Sequence, residues 1–121
     1  MSQANNLSVV IITLNEEHNL PRLLRSLPRG SEVFILDSGS TDKTCQIATD
    51  HGATVKIRGF VDYSDQKNAA IELATRPWVL SMDADEELCE EAREALFLTS
   101  ITGRYIAFFD NGKNPKRSYF H

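Results

Sequence analysis

The sequence predicts an α/β fold, a mostly parallel sheet with helices on both faces. Three observations carry that expectation. Short unbroken runs rich in β-branched residues, such as "LSVVIITL", have the composition of strands buried on both faces. Segments with apolar residues at helical spacing lie between them. Gly, Pro or a small polar residue marks the boundaries. Strands alternating with helices imply βαβ crossovers and hence parallel pairing. The 121 residues fit a single domain, 1–121, with one core of ordinary size.

Taken in order, "LSVVIITL" is the first strand and "NEEHN" a polar loop. Asn19 can cap a helix whose first turn tolerates Pro21. Leu20, Leu23, Leu24 and Leu27 share one face of it, and Pro28 and Gly30 stop it. "EVFIL" is the second strand. "DSGSTD" turns into the helix "KTCQIATDH", closed by Gly52. "ATVKI" is the third strand. "SDQKNAAIELAT" is the third helix, with Ser64 as its expected cap and Pro77 just beyond its end. "WVLSM" is the fourth strand. "EELCEEAREALFL" is the fourth helix, turning Leu88, Ala92, Ala95 and Leu96 to the core. "RYIAFF" is a fifth strand, and "DNGKNPKRSYFH" a polar, basic tail.

Composition narrows the function. A net charge of −4 argues against a nucleic-acid partner, because phosphate binding wants a basic footprint. Cys45 and Cys89 are far apart and lack metal-ligand spacing, which suggests reduced thiols in a cytoplasmic protein. "MSQANN" has no signal-peptide core, and the longest apolar run is too short to span a bilayer. Membrane contact would then be peripheral. No P-loop and no GxGxxG is present.

In parallel sheets ligands bind at the carboxyl ends of the strands. That rule selects Thr13–His18, Asp37–Asp42, Gly59–Lys67 and Asp83–Glu87. In "DSGSTD", capping and a glycine turn account for Ser40 to Asp42. They leave over Asp37, a carboxylate able to accept hydrogen bonds from a base or ribose. In "DADEE", acids in a helix's first turn offset the macrodipole, which accounts for Asp85, Glu86 and Glu87 and leaves over Asp83. The rival reading is a D-x-D site. Mg²⁺ and Mn²⁺ take hard oxygen ligands and often use only one or two carboxylates when phosphates complete the shell. Arg58 and Lys67 are the cations near this rim, each also explicable as a solvated side chain.

The order of "SVVIITLNEEHNLPRLLRSL", "VFILDSGSTDKTCQIA", "GATVKI", "QKNAAIELAT" and "WVLSMDADEEL" over residues 7–98 resembles the family 2 glycosyltransferases of the GT-A fold. It looks most like bacterial enzymes of lipopolysaccharide-core assembly that add a β-linked glucose. The resemblance implies a Rossmann-like, nucleotide-sugar-binding domain. It implies a UDP-sugar donor, a saccharide or lipid-linked saccharide acceptor, and Mg²⁺ or Mn²⁺. Thr13, Asn15 and Glu16 would form the first nucleotide loop, and Asp37 and Ser38 the second. Many relatives carry two acids at that second loop, where this chain has Asp37 and Ser38. Gln66, Lys67 and Asn68 match the segment beside the diphosphate. Asp83 would face the ribose or sugar, and Asp85 would be the metal ligand, with Asp83 the second residue of that D-x-D site.

Family members are about twice this length, so the sequence matches their N-terminal half. Their acceptor site and catalytic carboxylate lie after D-x-D. Asp110 is the only isolated downstream acid here and the one candidate base, so the chain alone is expected to bind donor and transfer it poorly. An inverting, metal-dependent hexosyl transfer is the expected reaction, cytoplasmic or at the inner face of the plasma membrane. "KNPKR" offers charge for anionic lipid. "RYIAFF" offers an edge for a homo-oligomer. Two other readings stay open on sequence alone: a non-catalytic nucleotide-sugar-binding module, and a receiver-like signalling domain with strand-end acids.

Overall fold

The computed structural model describes residues 3–102, 106–110 and 114–118, with side chains through residue 97. The elements alternate as the sequence leads one to expect: β1 (Leu7–Thr13), α1 (Leu20–Ser26), β2 (Glu32–Asp37), α2 (Thr44–Asp50), β3 (Thr54–Ile57), α3 (Tyr63–Glu72), β4 (Trp78–Asp83) and α4 (Glu90–Thr102). The first four strands form a parallel sheet in the order β3-β2-β1-β4.

Strand β1 is central, and its side chains alternate between the two faces. Leu7, Val9 and Ile11 point into the larger core with Leu20, Leu23 and Leu24 of α1, Ala48 of α2 and Ala92 and Leu96 of α4. Val10 points the other way, against Leu36 and Ala70, with Ile12 and Leu73 beside them. Helices α1, α2 and α4 thus cover one face and α3 the other. That explains why β1 reads as a continuous apolar run. Strand β3 lies at an edge and is mostly exposed, so it reads as mixed.

Three boundaries differ from expectation. Helix α3 starts at Tyr63, and its cap is Asp62, not Ser64: the Asp62 carboxylate accepts the Asp65 N–H at 2.8 Å. Helix α4 begins at Glu90, so residues 84–85 are a turn and 86–89 have no regular structure, not a first helical turn. This segment is anchored by Leu88, which is buried and whose N–H donates to Ser26 Oγ at 2.9 Å. The fifth strand does not join the parallel sheet. β5 (Ile106–Asp110) pairs antiparallel with β6 (Asn114–Ser118), which falls in the segment expected to be a tail. Arg104, Tyr105 and Lys113 lie outside the described residues, as do the side chains of Asp110 and of the rest of "KNPKR". No helix among the described residues is long and apolar enough to cross a membrane.

Candidate functional site

Chain direction reverses across the sheet at β1. The path steps outward through β2 to β3, then returns to the other side of β1 as β4. Such a switch point opens a crevice beyond the strand ends, where α/β sheets bind ligands. A cleft of about 600 Å³ lies there, lined by Ile12, Thr13, Leu14, Glu16, Ser38, Phe60, Tyr63, Gln66, Lys67, Asp83, Ala84 and Asp85. Its volume suits a small-molecule site, roughly 300–1,000 Å³.

The first two loops are stitched together. Asn15 has φ +52°, a left-handed conformation that Asn tolerates better than most residues. Its N–H donates to Ser40 Oγ at 2.7 Å, and its Oδ1 accepts the Thr41 N–H at 2.8 Å. The Glu16 N–H donates to Thr44 Oγ1 at 2.8 Å, and the Glu17 N–H to Asp42 at 3.2 Å. Asp42 also accepts the Thr44 N–H and hydroxyl, so it shapes the entry to α2.

Asp37 sits at the centre of this stitching. Register places it opposite Thr13, and it is fully buried. Its Oδ1 accepts from the Thr13 and Ser40 hydroxyls, each at 2.6 Å. Its Oδ2 accepts the Gly39 N–H at 2.9 Å and the Ser40 N–H at 2.7 Å. Gly39 has φ +106°, a conformation that side chains rarely adopt and that turns its N–H back to the carboxylate. Burial pushes the Asp37 carboxyl up, but the bonds from Ser40, Thr13 and Gly39 outweigh it and hold the group below its ordinary range.

The β4 end is built differently. Asp83 and Asp85 lie at the end of β4 and in the turn after it. Asp83 is half-buried and Asp85 exposed. The Glu86 carboxylate accepts the Asp83 N–H at 2.7 Å, which fixes the bend. Glu87 pairs with Arg22 at 3.6 Å. From across the cleft, Lys67 reaches Asp83 at 3.2 Å. Gln66 is buried beside it. Its Nε2 donates to Ser38 Oγ at 3.2 Å, and its Oε1 accepts from Arg58, whose guanidinium also pairs with Asp65.

Thr13, Glu16, Ser38, Lys67, Asp83 and Asp85 therefore converge on the cleft, as does Gln66. Asn15 and Asp37 do not line it; Asn15 bonds across to Ser40 and Thr41, and Asp37 accepts from Thr13 and from its own loop. Arg58 is held by α3. Leu14, Phe60 and Tyr63 also line the cleft, although no sequence motif marks them as site residues. The available signal was apolar residues in two of the selected strand-end loops. A second concavity of about 550 Å³, near Arg25, Arg29 and Arg93, contains no expected site residue.

Among the described residues no group of three or more His, Cys, Asp or Glu could hold a metal ion by itself. Asp83 and Asp85 nevertheless offer only hard carboxylate oxygens. That donor set fits a cation whose shell is completed by substrate phosphates and water, as Mg²⁺ and Mn²⁺ prefer.

Known proteins resemble this chain in sequence and in fold. An uncharacterised glycosyltransferase of Rickettsia conorii is 39% identical over 88% of this chain and 39% of its own length. The lipopolysaccharide core biosynthesis glycosyltransferase LpsC of Rhizobium meliloti is 41% identical over 74% of this chain and 35% of its own. The chain thus spans well under half of these relatives. The structure of residues 1–349 of Staphylococcus aureus TarS in complex with UDP superposes with a TM-score of 0.62, at 26% identity, over 81% of this chain and 33% of that one. The fold is that of the GT-A glycosyltransferases, and a receiver domain is set aside. Residues 8–111 match the glycosyl transferase family 2 pattern, and the chain belongs to that family.

Proposed function

We propose that this chain forms the donor-binding part of an inverting transferase that uses a UDP-sugar, with UDP-glucose the first donor to test. The observation that carries the reading is the convergence of Asp83, Asp85 and Lys67 with Thr13, Glu16 and Ser38 around one cleft at the switch point. The helix-start explanation of "DADEE" is weakened, because α4 begins five residues after Asp85. Asp85 and Asp83 would hold the Mg²⁺ or Mn²⁺, which when bound supplies positive charge to the diphosphate leaving group. Lys67 adds a second positive charge on the opposite wall. Thr13, Glu16 and Ser38 supply hydroxyl and carboxylate partners for the nucleoside. Asn15 and Asp37 act as positioning residues that hold the first two loops in register.

An acceptor hydroxyl would attack the anomeric carbon opposite the diphosphate, losing its proton to a general base. Asp110 is the candidate for that base. The likeness to LpsC supports a saccharide acceptor of the lipopolysaccharide core or a lipid-linked one, met at the inner face of the plasma membrane. Calorimetric titration with UDP, with and without Mn²⁺, tests the donor site. Release of UDP from UDP-glucose with and without a core saccharide tests transfer. Binding that is tight only with Mn²⁺ supports the reading, and no binding in either condition removes it.

A further inference from the structure

The chain carries a net charge of −4, yet one of its concavities is lined chiefly by cations. This is the second concavity, of about 550 Å³, which shares no lining residue with the strand-end cleft. Arg25, Arg29 and Arg93 line it, and Glu94 is the one carboxylate among its described lining residues. Leu27, Pro28 and Phe97 supply an apolar wall. The backbone under these side chains is fixed from several sides. Leu27 ends α1 in an extended conformation, and the Arg29 carbonyl accepts the Ala4 N–H at 2.6 Å. The Pro28 carbonyl accepts the Ser31 hydroxyl at 2.7 Å. The bond from the Leu88 N–H to Ser26 holds the segment before α4 against the end of α1. Arg93, one turn into α4, thereby meets the two arginines from α1 and the connection after it.

Helix capping accounts for only one of these cations. Arg25 lies in the last turn of α1, where a positive charge offsets the negative end of the helix dipole. Arg29 and Arg93 are left over. Arg93 is half-buried, and neither it nor Arg25 pairs with a carboxylate among the described residues. Like charges brought to one place repel, and a bound anion relieves that cost. Three guanidiniums against one carboxylate leave two positive charges in excess. A phosphate monoester carries close to two negative charges above its second pKa, roughly 6. Guanidinium groups match phosphate oxygens with paired N–H donors. We propose that this concavity is a second binding site, for a phosphate monoester, with Arg25, Arg29 and Arg93 on the phosphate. Two sources share that chemistry, a phosphorylated saccharide and a lipid headgroup. Glu94 offers an acceptor to a hydroxyl beside the phosphate, which favours the saccharide. The site does not depend on the donor reading, because the two share no residue.

The test uses the full chain without divalent metal, so that the strand-end carboxylates recruit no phosphate through a cation. The probes are glucose 6-phosphate, glucose, and dihexanoylphosphatidic acid below its micellar concentration. Binding is followed by calorimetry and by the arginine Nε–H signals in ¹⁵N NMR. Glucose 6-phosphate should bind and glucose should not. Arg25→Gln and Arg93→Gln should each weaken the phosphate-bearing probes about tenfold. Lys67→Gln, in the strand-end cleft, should leave them unchanged. Unchanged melting temperatures confirm folding, and if Arg93→Gln does not fold, the exposed Arg25→Gln carries the test. Tighter binding of glucose 6-phosphate than of the lipid assigns the phosphate to a saccharide, and the reverse order assigns it to a headgroup. The arginine dependence is expected in both cases. If neither phosphate-bearing probe binds, or if binding is lost with Lys67→Gln and kept with the arginine variants, this second site is removed and the donor site is untouched.

Discussion

Two strand-tip aspartates flank the end of β1, one on each side. Asp37, on β2, stands opposite Thr13 and is sealed under four hydrogen bonds from Thr13, Gly39 and Ser40. Asp83, on β4, stands opposite Ile12 and is half-exposed, and its carboxylate meets the tip of the Lys67 side chain. In sequence the two look alike: an apolar strand, an aspartate, a small residue, then more polar residues. Position in the sheet separates them. β2 has strands on both sides, and the loop after it folds back so that a left-handed glycine points N–H groups at the carboxylate. Among the described residues β4 pairs only with β1, and Glu86 holds the bend, leaving the Asp83 carboxylate facing the cleft. A carboxylate with four internal donors organises a loop. One facing solvent and a lysine is available to a ligand.

The largest effect expected from that contrast is on stability. Asp37→Ala leaves the Thr13 hydroxyl and the Gly39 and Ser40 N–H groups without their acceptor. The cost should be about 3 kcal/mol, seen as a melting temperature lower by roughly 10 °C or more. The pH dependence has a definite sign. The folded carboxyl titrates below its ordinary value, so its stabilisation is fully present above roughly pH 4 and is lost as pH falls through the lowered folded value. Asp37→Asn should therefore show a flatter loss of stability on the acid side than the unmodified chain. Parallel acid limbs in urea denaturation would show that Asp37 is not the group responsible.

Asp85→Asn should do the reverse. Asp85 is exposed and lies outside α4, so melting should be nearly unchanged. An amide oxygen is a weaker ligand for a hard cation. The Mn²⁺-dependent gain in UDP affinity should fall by about tenfold or more, roughly 1.4 kcal/mol. If Asp85→Asn keeps the whole Mn²⁺ gain, the two strand ends do not divide into a loop organiser and a ligand site.

Asp62 provides a third kind of aspartate, one that does cap a helix. Asp62→Ala should cost about 1 kcal/mol, and Ser64→Ala little. Equal effects in thermal melts would return the cap to Ser64. The sequence contained the helix but misplaced its start, because Ser64 and Asp62 are both good caps and only the backbone decides between them. The same limit applies elsewhere. The four parallel strands and the faces of α1 were legible because burial on both faces makes β1 a continuous apolar run and helical packing imposes its spacing on the leucines. The switch point was not, since strand order depends on contacts far apart in sequence. Lys67 and Asp83 were each legible as candidates, but their pairing across the cleft was not. Asp37 was legible as unexplained by capping, yet nothing local showed that Thr13, 24 residues away, would donate to it.

The smallest expected effect is the most specific to the open strand end. The side chains of Lys67 and Asp83 are 43% and 49% exposed, so their ion pair is worth between about 0 and 1 kcal/mol. Lys67→Gln should therefore move the melting temperature by a degree or two at most. Its consequence for binding has two opposite signs. Without nucleotide, Lys67 competes with a cation for Asp83, so Lys67→Gln should tighten Mn²⁺ binding by about twofold. With nucleotide, the lysine is free to turn from Asp83 to the diphosphate, so the same change should weaken UDP binding measured with saturating Mn²⁺. A structural brace would shift both measurements in one direction, through altered folding or loop order. Opposed shifts, with the free Mn²⁺ followed by electron paramagnetic resonance and UDP by calorimetry, require that one ammonium group serve two alternative partners in the cleft. If both affinities fall together, Lys67 is a brace between α3 and β4, and Asp83 serves the fold in the way that Asp37 does.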